Sequence, residues 1–182
     1  MKKLSFTTFA LLAMALTVAI VTGCAHSKAM PMASATLQPT TGQTAKGTVQ
    51  FTQQSDGTVE VKVDITGVSP GVHGFHIHDK GDCGDDAKAA GGHYNPNNMP
   101  HGAPDATSHH AGDFGNVTAD AGGAVHTSFT THSVTVTEGP TSVIGHAVVL
   151  HGSPDDLTSQ PAGNAGPRIA CGLVTGAGNM KR

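Results

Sequence analysis

Thr58-Val-Glu-Val-Lys-Val-Asp-Ile65 is the segment that most restricts what this chain can fold into. Val59, Val61, Val63 and Ile65 recur at every second position, which places them on one face of an extended strand, with Glu60, Lys62 and Asp64 on the other. Beyond the first 23 residues no stretch keeps an apolar period of 3.6 over three turns, so no long amphipathic helix is on offer. Ala33–Gln38, Gly47–Thr52, Val72–His78, Gly115–Thr118, Ala124–Thr130, Ser133–Thr137, Ile144–His151 and Arg168–Thr175 also have strand character. Turn signals separate several of them, such as Ser55-Asp-Gly57, Pro70-Gly71 and Ala119-Asp-Ala-Gly-Gly123. The 24 Gly and 10 Pro of the 182 residues supply that punctuation. The expectation is an all-β sandwich or barrel of about eight antiparallel strands. Residues 79–112 and 152–167 lack strand character, and loops of that length in a compact domain are usually functional.

The first 23 residues have a different character. Lys2 and Lys3 precede an apolar run, Phe9 to Val21, that is too short to span a bilayer and suits the core of a secretory signal. Val21-Thr-Gly-Cys24 resembles the lipobox of bacterial lipoproteins, in which the chain is cut before the Cys and that Cys is acylated. The resemblance implies a signal peptide over 1–23, lipidated Cys24 at the head of a short polar tether over 24–32, and a β domain over 33–182. It also implies a lipid-anchored protein on a bacterial membrane, facing the periplasm or the cell exterior. Several acyl chains on one residue give the stable anchorage that one chain does not. Losing Lys2 and Lys3 with the leader takes the formal charge from −3 to −5. With Cys24 set aside, Cys83 and Cys171 remain, and export leaves both a bridge and two unpaired buried thiols open. A bridge across 88 residues would be worth at most about 4–5 kcal/mol in the chain-entropy account.

Net negative charge gives no footprint for a polyanion partner, and without Trp and with one Tyr the chain has few surfaces on which bases could stack, so nucleic acid is excluded. The chain carries 12 His against 10 Lys plus Arg, and His is the commonest metal-ligand side chain. The count alone decides little, because it puts roughly 0.8 His-x-His pairs somewhere by chance. Position is more informative. His76 and His78 fall on the same face of one predicted strand. The long loop then brings His93, His101, His109 and His110, followed by Asp113, and His151 closes the apolar run Ala147–Leu150.

Four segments in this order resemble the Cu/Zn superoxide dismutase family. They are Gly74-Phe-His-Ile-His-Asp79, Gly91-Gly-His-Tyr-Asn-Pro96, His110-Ala-Gly-Asp-Phe-Gly-Asn-Val-Thr-Ala-Asp120 and Gly163-Asn-Ala-Gly-Pro-Arg-Ile-Ala-Cys-Gly172. The resemblance runs from about Ala33 to Thr175. It implies a Greek-key β-barrel with two long functional loops, and an oxidoreductase that turns two superoxide anions into dioxygen and hydrogen peroxide by copper redox cycling. His76, His78, His93 and His151 match copper ligands. His93, His101, His110 and Asp113 match zinc ligands, with His93 shared, so that each chain takes one copper and one zinc. Four nitrogens suit Cu(II), and His₃Asp suits a closed tetrahedral zinc site. Asp155 matches the carboxylate that joins His76 to His101. Arg168 matches the cation that holds the anion beside copper, and His93 the imidazole that supplies a proton. Cys83 and Cys171 match the family disulfide. Superoxide is then the substrate, acylated Cys24 the contact with membrane lipid, and the protein a monomer or homodimer.

Six of the twelve His are thereby assigned to metals. His73 is expected to pack or bond locally, and His109, His126, His132 and His146 to lie at the surface. The sequence departs from the better-known animal pattern in 152–167, whose charges are Asp155 and Asp156 with no Lys. Lys80 or Lys88 is the expected source of a local field for an anionic substrate. A copper-storage protein, a zinc hydrolase and a purely structural lipoprotein are the rival readings. Storage needs no Arg168, a closed zinc site leaves no place for activated water, and a structural role leaves the order of the His unexplained.

Overall fold

A computed structural model describes residues 30–176. The leader, Cys24 and most of the tether lie outside the described residues. Eight strands follow one another: β1 (Met32–Pro39), β2 (Lys46–Gln53), β3 (Val59–Thr66), β4 (Gly71–His78), β5 (Asp113–Ala119), β6 (Val125–Thr131), β7 (Ala147–His151) and β8 (Arg168–Gly176). The only helical piece among the described residues is a 3₁₀ turn at Lys88–Ala90. All strand pairings are antiparallel, in the spatial order β5-β4-β7-β8-β1-β2-β3-β6. β3 and β4 are consecutive but not neighbours, and neither are β6 and β7, so two connections cross over as a Greek key requires. β5 and β6 end the strip and are joined by the tight turn at Asp120–Ala124, which curls it into a nearly closed barrel.

Alternation governs one side of this barrel. β3 reads buried and exposed in strict turn, with Val59, Val61, Val63 and Ile65 inward. Ala33, Ala35 and Leu37 of β1 and Val49 and Phe51 of β2 meet them in the same core. β4 and β7 differ. Phe75 and Ile77 of β4 and Val148 and Leu150 of β7 enter the barrel core. The opposite parity, His76 and His78 on β4 and Ala147, Val149 and His151 on β7, is buried as well. Ala147 and Val149 pack under Ala87 and Ala90 of the 79–112 loop, beside Cys83 and Cys171. That loop is covalently tied to β8 by the Cys83–Cys171 disulfide, with Cα atoms 5.7 Å apart.

Two sequence expectations need correction. Ser133–Thr137 is not a ladder strand. Val134 and Val136 are buried, but the segment forms one isolated bridge, Thr135 to Ser142. Its alternation records burial, not pairing. The expected strand from Ile144 begins only at Ala147, because Gly145 turns the chain with φ +89° and donates its N–H to the Val174 carbonyl.

Candidate metal centre

The outer face of β4 and β7 gives the site its floor. β4 pairs with β7 so that His76 lies opposite Val149 and His78 opposite Ala147. Residues i and i+2 share a face, so both imidazoles stand on the loop-covered side. His151 ends β7 on the same parity. Gly112 hydrogen-bonds β4 at Ile77 and also Tyr94, the residue after His93, which draws His93 over the floor from one side. His110 and Asp113 enter from the turn leading into β5.

Two clusters result. His76, His78, His93 and His151 offer ligand atoms all within 4.8 Å of one another, and so do His93, His101, His110 and Asp113. All seven residues are buried, and His93 belongs to both sets. In the second cluster three ring nitrogens crowd one carboxylate oxygen. Asp113 Oδ1 lies 2.7 Å from His93 Nδ1, 3.1 Å from His101 Nδ1 and 3.1 Å from His110 Nδ1. Asp113 Oδ2 accepts the backbone N–H groups of His110 (2.8 Å) and Gly102 (3.1 Å).

Outer hydrogen bonds fix the tautomers. A carbonyl can only accept, so the ring nitrogen facing it carries the proton. His78 Nδ1 donates to the Gly91 carbonyl (3.0 Å) and His151 Nδ1 to the Gly166 carbonyl (3.2 Å). His78 Nε2 and His151 Nε2 are then both bare lone pairs, 3.3 Å apart. Asp155 takes the far nitrogens of two other rings. His76 Nε2 donates to Oδ2 (2.8 Å) and His101 Nε2 to Oδ1 (3.0 Å). This leaves His76 Nδ1 and His101 Nδ1 without hydrogen bonds, the latter a lone pair facing the Asp113 carboxylate oxygen 3.1 Å away, and His93 Nε2 is likewise buried and makes none. Buried polar atoms without partners are rare and costly. Here every orphan points into one of the two clusters, and a cation in each would satisfy them. The donor sets therefore fit copper and zinc: four imidazole nitrogens in one, three nitrogens and a carboxylate in the other.

Electrostatics agrees. Burial pushes the imidazoles of His76 and His78 well below their ordinary value, lowers His110, and brings His151 to about 4. These rings are neutral at pH 7, the form that ligates a metal. Burial alone would raise the Asp113 carboxyl, but the His93 hydrogen bond and the His110 backbone N–H outweigh it and hold it below the usual carboxylate range.

A cavity of about 390 Å³ opens above His78, His93 and His151. Arg168 lines one side, half-buried, and its guanidinium donates to the backbone carbonyls of Ala87 and Gly91. Both acceptors belong to the loop that the disulfide ties down. Gln160 and Asn164 also line it. Lys88 is exposed, with Nζ 3.6 Å from an equally exposed Asp85, and borders an adjoining cavity that also reaches Arg168. Lys80 is exposed.

His73 is buried and bonds locally, to the carbonyls of His151 and Ser69, each at 2.8 Å. His126 and His132 are at the surface. His109 and His146 are partly exposed and take part in contacts that the sequence did not suggest. His146 stacks on Tyr94 at 3.9 Å and donates to the Asp79 carbonyl, and His109 bonds the His110 carbonyl. Two contributors went unread in the sequence. Asn116 grips the backbone of Asp155, its Oδ1 taking the N–H (2.8 Å) and its Nδ2 giving to the carbonyl (2.9 Å). Gln160 grips His101 in the same manner. Gly163 makes room for the Asp155–His101 pair, since a Cβ there would lie 1.7 Å from Asp155 Oδ1.

A family model described as copper/zinc superoxide dismutase matches residues 45–174. Among solved structures, the crystal structure of the clock protein EA4 is similar at 38% identity with a TM-score of 0.72, and the match covers 82% of this chain and 98% of that one.

Proposed function

The chain belongs to the copper/zinc superoxide dismutase family, and from that premise we propose that its two His clusters form one dinuclear centre working outside the cytoplasm. The protein is a superoxide dismutase, an oxidoreductase whose substrate is superoxide. In our reading His76, His78, His93 and His151 hold copper, and His93, His101, His110 and Asp113 hold zinc. The observation that carries it is the set of inward lone pairs: the facing Nε2 atoms of His78 and His151 and the unpartnered nitrogens of His76, His93 and His101.

Copper, when bound, supplies the one-electron couple between two superoxide anions, one leaving as dioxygen and the other, with two protons, as hydrogen peroxide. The protein does the rest. Arg168 places a fixed positive charge beside the floor of the cavity, and its two carbonyl acceptors keep it there. A charge preorganised where an anion must sit acts without further reorganisation. His93 Nε2 faces the His76, His78 and His151 side of the centre and is the atom placed to hold a proton and pass it to the departing peroxide. Asp155 holds His76 and His101 in the tautomers that aim Nδ1 inward. Lys80 or Lys88, both exposed in the 79–112 loop, supplies a local positive field for the anion. Replacing both with Gln should lower kcat/KM and flatten its dependence on ionic strength, and an unchanged salt dependence would contradict that role.

We place the protein in an extracytoplasmic compartment. Residues 1–23 are its signal, acylated Cys24 its anchor in a bacterial membrane facing the periplasm or exterior, 24–32 its tether and 33–182 its catalytic domain, acting as monomer or homodimer. The Cys83–Cys171 bridge supports this, because disulfides persist in oxidising compartments. Protein loaded with one copper and one zinc per chain should dismutate superoxide well above the same amount of free copper. Loaded protein no faster than free copper would overturn the reading.

A further inference from the structure

Gln160 occupies an unusual place. Its carboxamide Oε1 accepts the backbone N–H of His101 at 2.9 Å, and its Nε2 donates to the backbone carbonyl of the same residue at 2.9 Å. One side chain thus saturates both peptide groups of a residue 59 positions away. It does so from the 152–167 loop, which also carries Asp155, the partner of the His101 ring at 3.0 Å. His101 is held from that loop at three points, and the atom left over is Nδ1, which is buried, makes no hydrogen bond and faces Asp113 Oδ1 at 3.1 Å. The same Gln160 stands on the rim of the cavity above His78 and His151.

The ring bond alone does not settle where His101 Nδ1 points. An imidazole held only by its Nε2 can swing about that contact if its backbone drifts. Fixing the N–H and the carbonyl removes the drift, and a carboxamide is the one common side-chain group that offers a donor and an acceptor side by side for this purpose. Gly163 leaves no room for a side chain beside this ring, because a Cβ there would lie 2.7 Å from His101 Nε2.

We propose that Gln160 is a positioning residue for the zinc-side cluster: by clamping the His101 backbone it sets the His101 Nδ1 direction and so the retention of the metal held there. The inference rests on the reading that His101 ligates zinc. Loss of the clamp removes two hydrogen bonds of about 1 kcal/mol each, which corresponds to a roughly ten- to thirtyfold weaker site.

The test compares Gln160→Ala and Gln160→Glu with the unaltered protein, each loaded with copper and with zinc or, as a spectroscopic substitute, Co²⁺. The rate of zinc loss to a chelator and the visible Co²⁺ bands are read, with far-UV circular dichroism as a check on folding. Gln160→Glu keeps the shape of the side chain and the bond to the His101 N–H, but sets a carboxylate oxygen against the His101 carbonyl. The clamp predicts zinc loss faster by roughly ten- to thirtyfold in Gln160→Ala and by a smaller, clear factor in Gln160→Glu, with altered Co²⁺ bands in both. A residue that merely fills space would give Gln160→Glu the unaltered rate and bands, and that result overturns the proposal even if Gln160→Ala does not fold. If His101→Ala retains zinc and Co²⁺ bands like the unaltered protein, the ligand reading itself fails and takes the proposal with it.

Discussion

Along β3 the side chains are buried and exposed by turns, while along β7 all five residues are buried. Both strands belong to one barrel and contribute to one core, so the difference lies on their outer faces. Glu60, Lys62 and Asp64 of β3 meet water. Ala147, Val149 and His151 of β7 meet the 79–112 and 152–167 loops, and there the barrel stops being a scaffold and becomes a site. The lesson is physical. A bare outer face needs only soluble side chains, whereas a covered one must satisfy every polar group it buries. On this face the protein buries seven potential ligand side chains, and three of their ring nitrogens make no hydrogen bond to the protein.

This contrast can be broken or sharpened by substitution and by pH. The largest effect is expected at Asp113, whose two oxygens gather three His rings and two backbone N–H groups. Even outer partners of metal ligands are worth 10–100-fold in affinity. Asp113→Ala should therefore weaken zinc binding by more than about 100-fold, read by competition with a chelating dye. Zinc retained at full affinity would show that this face does not depend on its carboxylate.

Acid should come next. In the metal-free chain burial holds His76, His78 and His151 below their ordinary value, His151 at about 4. The unfolded chain, with ordinary His near 6.5, then binds more protons than the folded one as the pH falls below that value. Stability is therefore full above about pH 6.5 and declines toward pH 4, and the loss of the lowered Asp113 carboxylate continues the decline below that. Thermal unfolding in the presence of chelator should show Tm falling by several degrees from pH 7 to 4.5. A flat Tm across that window would contradict the buried, neutral rings.

A smaller effect tests the two outer faces directly. Val149 points to the loop side of β7 and is fully buried, whereas Lys62 points outward from β3. Val149→Ala should cost about 1–3 kcal/mol, and Lys62→Ala should stay within about 0.5 kcal/mol. Urea unfolding of both variants reads the difference, and equal values would mean that the loops do not pack on β7 as a second core.

The same contrast explains what could be read in advance. The β3 side was legible because alternation is a local signal and its cause, one wet face and one dry, is local too. The fold class followed from it. The other side was legible only through resemblance, since His76-x-His78 alone is a pattern that chance supplies. Ser133–Thr137 misled because Val134 and Val136 alternate for burial in the barrel core while the segment makes one isolated bridge and joins no ladder. The stacking of His146 on Tyr94 could not be read because Tyr94 is 52 positions earlier in the chain. Asn116 and Gln160 carried no warning at all: each grips a backbone far away in sequence, and a carboxamide on a strand or in a polar loop looks like any other.

The most direct test of the account is a crystal of the copper- and zinc-loaded protein measured on both sides of each metal's absorption edge. The account predicts one copper peak among His76 Nδ1, His78 Nε2, His93 Nε2 and His151 Nε2. It predicts one zinc peak among His93 Nδ1, His101 Nδ1, His110 Nδ1 and Asp113, with the His93 ring between them. A single metal peak, or copper bound away from β4 and β7, would contradict it.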